Sequence, residues 1–219
     1  MPRHPGEARR AGAARAAQPP AGGAPHRVRI IGGAWKRTPL PVPEVPGLRP
    51  TPDRVRETLF NWLGQDLSGR SCLDLFAGTG ALGLEAASRG AARVLLVESD
   101  RRAQAVLRAT LQRLGAAQVA LWPADALAAL ERARREGLRF DLVLLDPPFG
   151  AGWVERVLPL LPPVLAERCA IYVESGSALD EAALAQALGP GFRIARHGRA
   201  GQVFYHLLIR TPSEETQAW

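Results

Sequence analysis

The sequence predicts a three-layer α/β fold, a largely parallel sheet with helices packed on both faces, and three observations predict it. Apolar strand-like runs alternate with segments of helical period through most of the chain after Ser71. Phe140 to Leu145 is a nearly unbroken apolar run directly after a helical segment, the pattern of a parallel strand buried on both faces. The runs Phe192 to Ala195 and Val203 to Ile209, joined through Gly198 and Gly201, form a closing hairpin and give the sheet an antiparallel finish.

The elements follow in order. Residues 1–26 are Pro, Gly, Ala and Arg without period and are expected to be a disordered arm. An RNA-binding arm, an organelle-type leader and an extension from an upstream start codon are the alternatives, and a dispensable arm is favoured. Residues 27–50 are a small hairpin and linker. Val28, Ile30 and Ile31 run to a turn at Gly32-Gly33 and on through Trp35, Lys36 and Arg37 to Leu40, after which Pro43 to Arg49 is a Pro/Gly linker. An aromatic ring beside cations suits stacking on nucleic acid and pairing with its phosphates; alternatively Trp35 covers a sheet edge.

The body, residues 51–210, opens with a helix. Thr51 is the expected N-cap, Pro52 the first helical residue, and Asp53 complements the helix dipole. Val55, Leu59, Trp62 and Leu63 share one apolar face. Arg49, Arg54 and Arg56 cluster at its start, either as a solvated face or as a site for an anionic substrate. Strands then follow at Leu73 to Leu75, Arg93 to Val97, Val119 to Trp122, Phe140 to Leu145 and Ala170 to Val173. Helices follow the glycines at Gly78 and Gly80, the cap at Ser99 or Asp100, and Asp125, and cover Val154 to Leu165, shortened by prolines, and Leu179 to Leu188. Residues 211–219 read as a flexible tail. Asp74, Glu98, Asp125 and Asp146 then fall at the carboxyl ends of neighbouring strands, where such sheets bind ligands.

Charge is distributed unevenly. Residues 1–60 hold eleven Lys/Arg against four Asp/Glu, and the rest of the chain seventeen of each, so the whole excess of +7 lies at the front. A neutral body behind a basic leading segment suits a binder of phosphate backbones. A single lysine, Lys36, among the cations reflects a compositional preference for Arg, which does not explain why acids are scarce only at the front. No apolar run approaches the ~20 residues that span a bilayer, and the first residues lack the apolar centre of a secretory signal, so a cytoplasmic protein without membrane contact is expected. Cys72 and Cys169 read as core thiols, and the four scattered histidines offer no metal site.

Gly78, Gly80 and Gly83 spell G-x-G-x-x-G, and Glu98 follows Gly78 at the ~20-residue interval of a ribose-binding acid. Asp74 argues against a dinucleotide, whose pyrophosphate a neighbouring carboxylate would repel. It suits S-adenosylmethionine, which presents an ammonium and a sulfonium; the alternative is that Asp74 merely ties down the turn. Downstream, Asp146-Pro147-Pro148-Phe149 ends a strand. The prolines remove N–H donors and leave carbonyls free, so the Asp146 carboxylate and the Pro147 carbonyl can accept both hydrogens of an exocyclic amine, while Phe149 offers a stacking face.

The pairing of Asp146-Pro147-Pro148-Phe149 with Leu73 to Gly83 resembles the class I S-adenosylmethionine-dependent amino-methyltransferases. The stretch Gly47 to Trp62, with Ala170 to Ser175 and Ala200 to Val203, is similar to the bacterial 16S rRNA (guanine-966 N2)-methyltransferase family over about Val28 to Arg210. The resemblance implies a Rossmann-like seven-stranded sheet with its last strand reversed, and S-adenosylmethionine as methyl donor with no metal. It implies Asp74, Phe76, Gly78 and Gly80 around the donor's methionine portion, Glu98 on the ribose, Asp125 with Ala126 at the adenine, and Asp146 to Phe149 at the target guanine. Trp35, Lys36, Arg37, Arg49, Arg54 and Arg56 would meet 16S rRNA in the small ribosomal subunit, with the protein acting as a monomer. It assigns Glu174 no role. The competing readings are a DNA adenine-N6 methyltransferase, against which the lack of a separate recognition domain counts, an NAD(P)-binding protein, and a non-catalytic RNA-binding assembly factor.

Overall fold

The computed structural model describes residues 28–45 and 50–210. The arm, Arg49 and the tail lie outside the described residues. A two-stranded hairpin, β1 (Val28–Arg29) with β2 (Pro39–Leu40), precedes α1 (Asp53–Leu63). The body continues through β3 (Ser71–Asp74), α2 (Ala81–Ser88), β4 (Arg93–Glu98), α3 (Arg101–Leu114), β5 (Val119–Pro123), α4 (Ala126–Arg135) and β6 (Phe140–Leu145). It ends with α5 (Trp153–Val157), β7 (Leu165–Ser175), α6 (Glu181–Leu188), β8 (Phe192–Ala200) and β9 (Val203–Arg210). Between α5 and β7 the prolines leave only two 3-10 turns, Leu158–Leu160 and Pro162–Val164, because each lacks a helical donor.

The seven strands run in the order β5-β4-β3-β6-β7-β9-β8. Neighbours from β5 to β7 pair in parallel, and β9 lies antiparallel between β7 and β8, so the last strand is the reversed one. This is the three-layer α/β/α sandwich of the class I methyltransferases.

Alternation along the strands divides the core. Cys72, Val94, Leu96, Leu142, Leu144, Ala170 and Tyr172 pack with α1, α2 and α3 on one face, together with the hairpin residues Val28, Ile30 and Leu40. Leu73, Leu95, Val97, Val143, Leu145, Ile171 and Val173 pack with α4, α5 and α6 on the other. The same alternation assigns Asp74, Asp146 and Glu174 to the α1 side, in phase with Cys72, Leu144 and Tyr172. Both cysteines are free, buried thiols.

Local capping rules fail at one helix. Asp100, Asp125 and Asp180 cap α3, α4 and α6 through their side chains. On α1 the cap is Pro52, with no side-chain cap bond. The hydroxyl of Thr51, the expected cap, is used elsewhere.

Candidate active site

The crossing from β3 to α2 is the first part of the site. Gly78 and Gly80 take φ of 53° and 78°, the left-handed region a Cβ disfavours, and Gly80 caps α2. Gly83, one turn on, is held by packing: a Cβ there would stand 2.3 Å from Leu96 Cδ2 and 3.0 Å from Asp74 Oδ2. Asp74 is only 1% exposed. Its Oδ2 accepts the Gly83 N–H at 2.9 Å, whereas its Oδ1 is buried with no partner. One oxygen ties down the turn, and the other has no hydrogen-bond partner among the described residues. Burial raises its pKa to about 7, opposed by the Gly83 and Phe76 amides and reinforced by nearby Asp146 and Glu98.

Glu98 closes the turn from the end of β4. Its Oε2 accepts the Gly78 N–H at 2.8 Å and its Oε1 the Asp100 N–H at 2.7 Å. Each oxygen keeps a lone pair, so the carboxylate is fixed in place and can still accept ribose hydroxyls. Asp125, exposed beyond β5, accepts at Oδ1 the N–H groups of Leu127 and Ala128, each at 3.0 Å. Buried Ala126 begins the helix behind it. Half-buried Phe76 meets Trp153 edge-on with ring centroids 5.5 Å apart. Trp153 was not singled out from sequence.

The second part is the loop after β6. Pro147 is buried, while Pro148 and Phe149 are exposed, Phe149 at 55%. An aromatic ring left in water at the end of a central strand is available for stacking. Half-buried Asp146 accepts at Oδ2 a 2.7 Å hydrogen bond from the Thr51 hydroxyl, and burial lifts its pKa to about 6. Thr51 Oγ1 also lies 3.1 Å from Glu174 Oε1, to which Tyr172 Oη donates at 2.8 Å. Glu174 and Tyr172 are buried. Burial and the neighbouring Asp146 push Glu174 up to about 8, while burial and Glu174 push Tyr172 well above the phenol range. Thr51 and Tyr172 were not read from sequence as site residues, and Glu174 was read without a role.

The basic front divides in two. Lys36, Arg37 and Arg54 are exposed, and a groove of about 310 Å³ is lined by Arg29, Ile30, Ile31, Lys36, Arg37 and Glu57. Trp35 is half-buried against the core and its amide donates to Ser88 Oγ at 2.9 Å, which favours the edge-covering role over free stacking. Arg56 corrects the sequence expectation. It is 0% exposed, and its guanidinium donates to the Thr51 carbonyl, the Arg29 carbonyl and Asp53 at 3.2, 2.9 and 2.7 Å. It is a strut inside the fold and presents no charge to a ligand outside.

Across the sheet, the order of strands sets Asp125, Glu98, Asp74, Asp146 and Glu174 in one row, from β5 to β7. Among the described residues no group of His, Cys, Asp and Glu could hold a metal ion. The partnerless Asp74 oxygen, the glycine turn and the anchored Glu98 carboxylate fit a cationic, hydroxyl-rich donor such as S-adenosylmethionine, since an anionic pyrophosphate would face buried carboxylates. A family model described as conserved hypothetical protein 95 matches residues 28–209. The chain is 43% identical over 194 residues to ribosomal RNA small subunit methyltransferase D of Escherichia coli (strain K12), covering 88% of this chain and 94% of that protein. It is also 43% identical over 136 residues to the Haemophilus influenzae protein of the same name, covering 61% of this chain and 70% of that one. A solved Escherichia coli structure described as a candidate methyltransferase matches with a TM-score of 0.73 at 41% identity, covering 85% of this chain and 99% of that one.

Proposed function

We propose that this chain, which belongs to the family of ribosomal RNA small subunit methyltransferase D, methylates the exocyclic N2 of a guanine in 16S ribosomal RNA, with S-adenosylmethionine as donor. One observation carries the reading: the buried Asp74 oxygen without a partner lies on the strand adjacent to the one ending in Asp146-Pro147-Pro148-Phe149. A cation-binding pocket and an amine-holding loop are side by side.

Asp74 would accept the donor's ammonium, Glu98 its ribose hydroxyls, and the Asp125 to Ala126 corner its adenine. S-adenosylmethionine supplies a methyl group on a sulfonium, already electrophilic, so the protein's contribution is positioning. Asp146 and the Pro147 carbonyl accept the two N2 hydrogens and turn the amine lone pair toward the methyl. Phe149 stacks on the extruded base. Asp146 takes the proton that N2 sheds. Lys36, Arg37, Arg54 and Arg49, the last outside the described residues, hold the RNA backbone. Residues 27–50 act as the RNA-contacting unit, residues 51–210 as the catalytic domain, and residues 1–26 and 211–219 are dispensable to catalysis. The protein works as a cytoplasmic monomer on the small subunit; no helix among the described residues is long and apolar enough to cross a membrane.

The test is methyl transfer from labelled S-adenosylmethionine to unmodified 16S rRNA, small subunits and DNA in parallel, with mass identification of the methylated nucleoside. N2-methylguanosine from a ribosomal sample is the expected product. N6-methyladenine from DNA, or no product despite intact donor binding, would overturn the assignment.

A further inference from the structure

The contacts around Thr51 contain more hydrogen bonds than hydroxyl protons. Thr51 with Asp146, Thr51 with Glu174 and Tyr172 with Glu174 are three oxygen-to-oxygen contacts, at 2.7, 3.1 and 2.8 Å. Each needs one proton between its oxygens. Thr51 and Tyr172 supply one apiece. The third must sit on a carboxyl, so Asp146 and Glu174 together hold one proton when all three contacts are made.

Geometry says which carboxyl. Bonds from a hydroxyl to an ionised oxygen are the short ones, and the contact to Asp146 is shorter than that to Glu174 by 0.4 Å, from 3.1 to 2.7 Å. Glu174 is 4% exposed, whereas Asp146 is only half-buried, so the charge is less costly on Asp146. Resting on the function proposed above, we infer that Glu174 is a positioning residue kept as the neutral acid, which donates through Thr51 to Asp146 and so fixes a single anionic acceptor under the target amine. The direction is uniform: Tyr172 donates to Glu174, Glu174 to Thr51, and Thr51 to Asp146. The other groups near this chain are Asp74 from β3, which interacts with Asp146, and Tyr205 from β9, which interacts with Tyr172. Arg56 from α1 also donates to the Thr51 carbonyl at 3.2 Å, but its charge is held by Asp53 and Glu85, so it does little to favour a second negative charge on Asp146 and Glu174. The upward shift of Glu174, caused by burial and by Asp146, agrees.

The consequence for the reaction is a definite proton count. The N2 lone pair forms the new N–C bond, the electron pair of the C–S bond stays on sulfur, and one N2 proton passes to Asp146. Both carboxyls are then neutral, and the pair returns one proton to solvent before the next turnover. Thr51 cannot be replaced here by a mere cap, since its hydroxyl is the link between residues on β7 and after β6.

Single-turnover transfer by the full chain on its ribosomal substrate, measured from about pH 6 to about pH 9, tests this with Glu174→Gln, Glu174→Ala and Thr51→Val. A Gln side chain with its amide nitrogen in the place of Oε1 can donate one hydrogen to Thr51 and the other to the Tyr172 oxygen without titrating. The unaltered chain should lose rate at acid pH as Asp146 protonates and again above about pH 8 as Glu174 ionises. Glu174→Gln should stay within roughly tenfold of it at neutral pH and lack the alkaline fall, while Glu174→Ala and Thr51→Val lose roughly a hundredfold. Infrared difference spectra of the unliganded proteins, unaltered minus Glu174→Gln at neutral pH, should show the carbonyl band of a protonated carboxylic acid. Absence of that band in a folded Gln variant, or a Gln variant as inactive as Ala with the alkaline fall intact, would overturn the inference. The infrared arm needs no substrate, so it reads the Glu174 proton even if the assigned methyl acceptor is wrong.

Discussion

Glu85 on α2 holds Arg56 on α1 across 3.6 Å, with both side chains 0% exposed. The Glu85 carboxylate also accepts the N–H groups of Ile31 and Gly32, each at 2.7 Å, and pairs with Arg89 at 2.8 Å. One buried carboxylate thus fastens the hairpin loop to two helices. Burial lowers the Arg56 pKa, with Asp53 and Glu85 opposing the shift, so pairing offsets part of the cost of desolvating the guanidinium.

Removing one partner of such a cluster leaves the other desolvated and alone, which costs about 3–5 kcal/mol. Arg56→Ala and Glu85→Ala should each lower the melting temperature by roughly 10 °C and speed amide exchange at Ile31 and Gly32. An Arg56→Ala variant with unchanged melting but a shallower salt dependence of RNA binding would return Arg56 to the interface.

This cluster also marks what the sequence hides. Phe140 to Leu145 was legible to the residue, because a strand buried on both faces leaves an unmistakable apolar run. The row Asp74, Glu98, Asp125 and Asp146 was legible because each acid follows such a run, and strand ends are ligand sites in this architecture. Arg56 was not. Helical period separates faces of α1 but says nothing of the hairpin carbonyl that reaches over it from Arg29. Glu85 was hidden because every residue of α2 is buried, so the helix has no polar face to give it away. Thr51 followed good local capping logic, yet its hydroxyl meets partners 95 and 123 residues further along the chain. Long-range partners outcompete a cap worth about 1 kcal/mol, and no local pattern records them.

Lys36 and Arg37 line the groove of the hairpin, and both they and Arg54 are exposed. If they neutralise phosphates, each should contribute about one counterion to the salt dependence of RNA affinity. The triple alanine variant should bind RNA more weakly at all sequences and lower the salt slope by about 2–3, with the melting temperature unchanged. Equal slopes for both proteins in filter-binding titrations would remove these side chains from the interface.

Asp146→Asn keeps the shape of the loop but removes the anionic acceptor. Methyl transfer should fall by roughly a hundredfold or more, while affinity for S-adenosylhomocysteine changes less than about threefold, since the donor pocket does not use this carboxylate. Transfer and donor affinity measured side by side decide the matter: parallel losses would mean that Asp146 supports the pocket structurally.

Asp74 makes donor binding depend on pH. Its pKa is raised to about 7 by burial, so below that value the partnerless Oδ1 belongs to a neutral acid and above it to an anion. An ammonium prefers the anion. Affinity for S-adenosylhomocysteine should therefore rise between about pH 6 and pH 7.5, a window in which the ligand's own amino group, that of a zwitterionic amino acid and more basic than a peptide N-terminus, keeps its charge. Stability runs the opposite way. A carboxyl whose folded pKa exceeds its unfolded value of 3.8 binds more protons in the folded state between the two, so its contribution is fully present below the unfolded pKa and is lost as pH rises through about 7. The unliganded protein should accordingly melt at a lower temperature at pH 8 than at pH 5.5, and bound S-adenosylhomocysteine should narrow that gap. Asp74→Asn should bind the ligand roughly tenfold more weakly at pH 7.5 with a flat pH profile, read by calorimetric titration across the window. A rising profile that survives this substitution would assign the titration to another of the strand-end carboxyls, and a flat profile in the unaltered chain would show that Oδ1 does not meet the ammonium at all.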